Sequence, residues 1–275
     1  MRTLRFCAAL AALLAGVSWG TTGNCTLIDF NTTGDLANNF NSTATLPYSE
    51  ADGVGLGNPA SRGLTVTGTT DSGSVYKNGS MSFTNVGDQV IVSAFFHTGS
   101  TLGTSGEARV FELNAVALNT NIPTSAHTGI GAKIEFGSGV DDVLIRFRQN
   151  NADVASSLSP TSFDIQANTW YKATFTATNQ GTASTIPASM VLDNYGTDGT
   201  SLVAANVFSH SFNLPASAAF TADADVFGAF RVRNGTRLYN AVDNFEQISI
   251  PVPEPTTWVL GSIAGLAVLL RRRAS

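Results

Sequence analysis

Apolar residues recur at every second position in many short runs of this chain. Val143, Ile145 and Phe147 alternate with Leu144, Arg146 and Arg148. Tyr171, Ala173, Phe175 and Ala177 alternate with Trp170, Lys172, Thr174 and Thr176, and Met81 and Phe83 alternate with serines. A period of two sends successive side chains to opposite faces of a strand. Further runs read as strands at 64–67, 89–96, 108–113, 130–136, 188–192, 226–232 and 241–250, and Gly, Asn, Asp, Ser and Thr separate them. No helix-period segment of useful length appears between residues 21 and 252. Ten or more short strands joined by polar turns predict an all-β protein, a two-sheet antiparallel β-sandwich. The 17 phenylalanines supply much of its core. Segments 99–106 and 179–186 read as small-residue loops and 119–128 as an exposed loop, so residues 21–252 read as one domain.

Both ends break the alternation. Arg2 and Arg5 precede an apolar run over 6–17, and Ser18-Trp19-Gly20 places small residues where a leader is cut, so residues 1–20 read as a secretory signal peptide. At the other end stand Pro253-Glu254-Pro255, an uncharged apolar run over 256–270, and Arg271-Arg272-Arg273. Fifteen residues make about 22 Å of helix at 1.5 Å per residue. A full span takes about 17–25 residues; snorkelling arginines and the flanking Pro-Glu-Pro region make up the difference. Pro253 and Pro255 keep the approach extended and open to a protease. This order of Pro-Glu-Pro, transmembrane helix and arginine cluster over 253–275 resembles the PEP-CTERM sorting signal of Gram-negative bacteria. The resemblance implies an exosortase-type membrane protease as partner, transient residence in the inner membrane, and delivery to the cell surface or the extracellular polysaccharide matrix. Pro253, Glu254, Pro255, Arg271, Arg272 and Arg273 are then the sorting and processing motif.

Without the two ends, residues 21–252 hold ten basic and nineteen acidic residues. That balance disfavours nucleic acid or an anionic membrane surface as partner. Cys7 lies in the leader, leaving Cys25 alone, so neither an internal disulfide nor a cysteine metal site is expected.

Trp170-Tyr171-Lys172 opening a strand, Val242-Asp243-Asn244-Phe245 closing the domain, and Phe30 and Phe40 around 29–40 as a first strand and its loop together resemble the concanavalin A-like lectin/glucanase superfamily. The resemblance implies a jelly-roll sandwich. It also implies one structural Ca²⁺ between first and last strands, with Asp29 and Asp243 as ligands. Sugar hydrolases of that superfamily carry Glu-x-Asp-x-x-Glu on one strand. Glu107 and Glu112 are five apart, on opposite strand faces, and lack the central Asp, so no catalytic residue is expected. His97, His127 and His210 are scattered singletons. Trp170, Tyr171, Tyr195 and Tyr239 are the aromatics in polar surroundings. Trp170, Tyr239 and Arg233 are the candidate carbohydrate contacts, and Arg231, Arg233 and Arg237 beside Tyr239 form a basic cluster suited to an acidic polysaccharide. The competing reading packs Trp170 in the core and pairs the arginines with neighbouring acids. The expectation is an exported, non-catalytic surface or matrix protein; the alternatives are a carbohydrate-binding module with a specific ligand and a glycan-active enzyme.

Overall fold

The computed structural model describes residues 24–42, 48–57, 60–66, 72–99, 109–117, 128–136, 141–149, 152–160, 163–181, 185–215, 225–233 and 241–252. The segments read as signal peptide and sorting tail, the latter with Pro253, Glu254, Pro255, Arg271, Arg272 and Arg273, lie outside them, as do Tyr239, Arg237, His127, Glu107 and the side chain of Arg233.

The predicted sandwich is present. One sheet runs, in spatial order, β14 (Ala204–Pro215), β13 (Thr185–Asn194), β12 (Trp170–Thr178), β7 (Gln89–His97), β16 (Ala241–Ile250), β4 (Gly63–Val66) and β3 (Tyr48–Ala51), with β1 (Cys25–Ile28) also on β16. The other runs β11 (Ala152–Leu158), β10 (Asp142–Gln149), β9 (Gly129–Phe136), β8 (Arg109–Val116), β15 (Asp225–Arg233), β5 (Ser72–Tyr76) and β2 (Phe40–Ser42), with β6 (Met81–Ser82) on β15. All these pairings are antiparallel. Two local expectations are corrected. The first strand ends at Ile28, before Phe30, and the segment after it holds a short helix, α1 (Asp35–Asn39). Its length of five residues is below what periodicity can reveal.

Alternation explains the core. On β12 and β13 every second residue is buried, so Ala173, Phe175, Met190 and Leu192 face the second sheet. Phe40 stands at the centre of an aromatic group, 5.3 Å from Phe230, 5.1 Å from Phe245 and 5.8 Å from Phe30 between ring centroids. Edge-on and offset contacts at such spacing add to the burial of each ring. Phe30 holds φ +51°, a conformation costly for a bulky L-residue, and its complete burial among these rings offsets that cost.

β16 carries a bulge. Asp243 pairs with Phe95 and Glu246 with Ser93, three steps on β16 against two on β7. The extra residue is Asn244, at φ +48°, where a short polar side chain is tolerated. It shifts the alternation by one, so Val242 and Phe245 both enter the core while Asp243 and Glu246 both face outward.

Asp88 closes the end of the domain. One carboxylate oxygen accepts bonds from the N–H groups of Thr84 and Asn85 and from the Ser82 hydroxyl at 2.9–3.1 Å; the other accepts the N–H of Val252 at 2.9 Å. The side chain is fully buried. Asp88→Ala should cost about 2–3 kcal/mol, because four donors lose a charged acceptor. Urea denaturation measures it, and trypsin-free limited proteolysis with a broad-specificity enzyme should show earlier cleavage near 251–252.

Candidate functional site

Trp170, predicted either as a sugar platform or as core, does neither simply. It lies on the outer face of the first sheet, opposite Tyr171, whose side chain enters the sandwich, and it is only 4 % exposed. It packs with Phe95, Ala241, Leu56 and Tyr195 in a small outer cluster. The His97 ring lies 5.1 Å from it, directly across the β7–β12 pair. The Gly99 N–H donates to His97 Nδ1 at 3.1 Å, so the neutral ring carries its proton on Nε2.

Two loops rise over this cluster. The β3–β4 loop folds back on itself through the N–H groups of Val54 and Gly55 to the Ser61 carbonyl. It is tied to the β13–β14 loop where the Gly57 N–H meets the Asp198 carbonyl at 2.8 Å. Between the loops and the sheet lies a cavity of about 290 Å³, lined by Gly53, Gly55, Thr65, His97, Trp170 and Thr197 among others. That is near the lower end of ligand pockets, about 300–1,000 Å³. Trp170 gives it an aromatic wall, not an open stacking surface.

Asp243 anchors the loop from below. It sits where β16 exchanges one neighbour, β4, for another, β1, and is 1 % exposed. Its Oδ2 accepts the Leu56 N–H at 2.9 Å and the Ser61 hydroxyl at 3.5 Å; its Oδ1 accepts the Asn244 N–H at 2.8 Å. Gly55 is required here, since a Cβ on it would stand 2.7 Å from Asp243 Oδ2 and 2.3 Å from the Arg62 carbonyl. Burial pushes the Asp243 carboxyl from its ordinary 3.8 up to about 7; the negative charge of Asp29 adds to the rise, and the hydrogen bonds oppose it.

Asp29 and Asp243 are the two aspartates of the calcium expectation. The surroundings do not fit the ion. Both Asp243 oxygens receive N–H or O–H donors, which repel a cation, and Asp29 Oδ1 accepts the Asn31 N–H at 3.2 Å. Among the described residues no three His, Cys, Asp or Glu side chains come together for a metal. A calcium centre wants six to eight oxygens.

The outer face of the second sheet carries the other charged assembly. Glu112, 0 % exposed, accepts from Arg146 at 2.6 Å on Oε1 and from Arg231 at 3.1 Å on Oε2. Gly131 lies between Arg146 and Asn114 across the sheet, and a Cβ there would meet the Asn114 Oδ1 and the Leu113 carbonyl. Arg146 Nη1 and Arg148 Nε also approach Asp153 on β11, at 3.4 and 3.2 Å. Arg231 thus pairs with an acid, as one sequence reading held. His210 contacts the Ser157 carbonyl through Nε2 at 3.2 Å, linking edge strands β14 and β11.

Sequence reasoning missed His97 as a cavity wall, the Gly53-Val54-Gly55-Leu56-Gly57 run as its roof, and Asp153 as the partner of the β10 arginines. The glycine run was visible but had no assigned neighbour. Asp153 was hidden because no alternation marks β11.

No protein-family model and no curated protein sequence matches the chain. Solved structures do. Peanut lectin, solved with a nine-residue peptide, superposes with TM-score 0.55 at 11 % identity, over 85 % of this chain and all of that one. Lectin UEA-II, solved with galactose, gives 0.52 at 10 % identity, over 83 % and 99 %. Lectin II from Ulex europaeus gives 0.50 at 11 %, over 85 % and 100 %. The fold is that of the concanavalin A-like legume lectins. At this identity the likeness concerns architecture alone.

The raised Asp243 carboxyl has a signed consequence. The folded protein holds its proton more tightly than the unfolded chain, so this contribution to stability is full below pH 4 and is lost as pH rises towards about 7. Melting temperatures should fall from pH 5 to pH 8 more steeply in the wild type than in Asp243→Asn, and EDTA should leave both sets of melts unchanged.

Proposed function

We propose that this protein is a non-catalytic carbohydrate-binding module, exported and displayed at the cell surface or in the extracellular matrix. The cavity under the β3–β4 loop carries the reading. Its Trp170 and His97 walls give apolar and imidazole surface, its glycine-lined roof brings backbone groups close, and Thr65 and Thr197 bring hydroxyls. A site that pairs aromatic surface with a few placed polar groups suits a saccharide. A galactose-bound lectin among the structures of like fold supports the same ligand class.

Glu112, the described member of the Glu107–Glu112 pair, is engaged by two guanidiniums and closed from solvent, which supports a structural role for it. Export rests on the leader at 1–20 and the tail at 253–275. In this reading an exosortase-type protease removes the tail after transient residence in the inner membrane of a Gram-negative host, and Pro253, Glu254, Pro255 and the three arginines are read in that step.

A glycan array probed with the full chain should return binding to at least one neutral saccharide. His97→Ala should then weaken that interaction about tenfold, or ~1.4 kcal/mol, while its melting temperature stays near that of the wild type. Silence across neutral and acidic glycans alike would remove the reading.

A further inference from the structure

The edge of the second sheet holds a feature that the cavity does not explain. Arg146 and Arg148 stand two apart on β10 and therefore share one face. With Arg231 they are three of the ten basic residues in a domain of nineteen acids, and Glu112 and Asp153 are carboxylates that they meet.

These two carboxylates differ. Glu112 is enclosed and held at 2.6 and 3.1 Å. The Asp153 side chain is 35 % exposed on an edge strand and sits 3.4, 3.4 and 3.2 Å from the guanidinium nitrogens. Charge-assisted N–H···O bonds normally measure about 2.7–2.9 Å. Asp153 occupies its place through a second bulge. Phe147 pairs with Ala155 but Arg148 with Asp153, so Val154 is extra. Without it, Val154 would oppose Arg148. Bulges of this kind re-aim a side chain next to functional sites. Burial and the charges of Arg146 and Arg231 draw the Arg148 guanidinium below its ordinary range, and the negative charges of Asp153 and Glu112 oppose this. Ser156, exposed and opposite Arg146, adds a hydroxyl at the rim.

We propose that Arg146 and Arg148 form a carboxylate-binding site at this sheet edge, that Asp153 is its internal occupant, and that the ligand is the uronate carboxylate of an acidic polysaccharide. The anion preference follows from the arginines; the choice of a glycan rests on the carbohydrate-binding reading above. Binding swings Asp153 into solvent and places the ligand carboxylate against Arg148 Nε and Arg146 Nη1. No covalent step is involved.

Calorimetric titration of the full chain with polygalacturonate, free galacturonate and an uncharged galactan tests it, at low and at high salt. Asp153→Asn should tighten polygalacturonate binding about tenfold and Arg148→Gln should loosen it about as much, the scale of one hydrogen bond to a charged group. High salt should weaken the wild-type interaction. Melting temperatures near wild type show that both variants fold. If Asp153→Asn leaves polygalacturonate affinity unchanged or lowers it, or Arg148→Gln has no effect, the proposal is overturned. Free galacturonate binding as tightly as the polymer would overturn the polysaccharide as ligand. Galactan binding retained without polyuronate binding overturns this site alone. Polyuronate binding that responds to both variants, with no galactan binding, supports it and counts against the cavity.

Discussion

The arrangement of the first sheet hangs on one inserted residue. β16 must send Val242 and Phe245 into the core, yet three positions separate them and a regular strand would put one outside. Asn244 absorbs the mismatch as a bulge. Phe245 then reaches Phe40 and Phe230 across the sandwich. The same shift turns Asp243 outward, into the notch where β1 and β4 part, and there its carboxyl gathers the β3–β4 loop. Core closure and the roof of the cavity are two results of one backbone event.

Both outer faces therefore depart from the usual solvated surface of an antiparallel sheet. On the first, Phe95 and Trp170 are buried beneath loops, and Lys172 lies 5.9 Å above the Phe95 ring while approaching Glu246 at 3.5 Å. On the second, Glu112 binds two guanidiniums out of solvent. Buried ion pairs of this kind contribute little net stability, since desolvation offsets the attraction. Their geometric demand is greater: Arg146 on β10 reaches across β9 to Glu112 on β8, so the contact is made only when these three strands keep their register.

The sandwich was legible because its signal is repeated. β7, β9, β10, β12, β15 and β16 all carry enough alternating apolar residues to mark themselves. β11 and β14 were not legible: as edge strands they bury few side chains on either face, and sequences such as Ala152–Leu158 show no period. The sites followed the same division. Asp243 and Trp170 sit on marked strands and were singled out. His97 is the last residue of a marked strand, and its meaning depends on Trp170 lying opposite, a pairing between strands 73 residues apart in sequence. The calcium expectation named Asp29 and Asp243 without the Leu56 N–H and the Ser61 hydroxyl that bind Asp243, because both come from a loop that periodicity does not place.

Under the proposed sorting route, the Asp88 clamp gains a second consequence. It fixes the chain at Val252, and residues 253–255 alone separate that point from the apolar run beginning at 256. Three extended residues reach at most about 10 Å. A folded sandwich would then stand against the bilayer before the tail is cut, with little room for a protease between them. Either the enzyme works at that short distance, or Val252 must leave Asp88 first. The second course breaks one charged hydrogen bond and exposes Gly87, against which Val252 packs, a small opening beside the unfolding of the domain. Processing of a folded domain is thus compatible with this clamp, and the strength of the Asp88 contact becomes a term in how readily the tail presents itself.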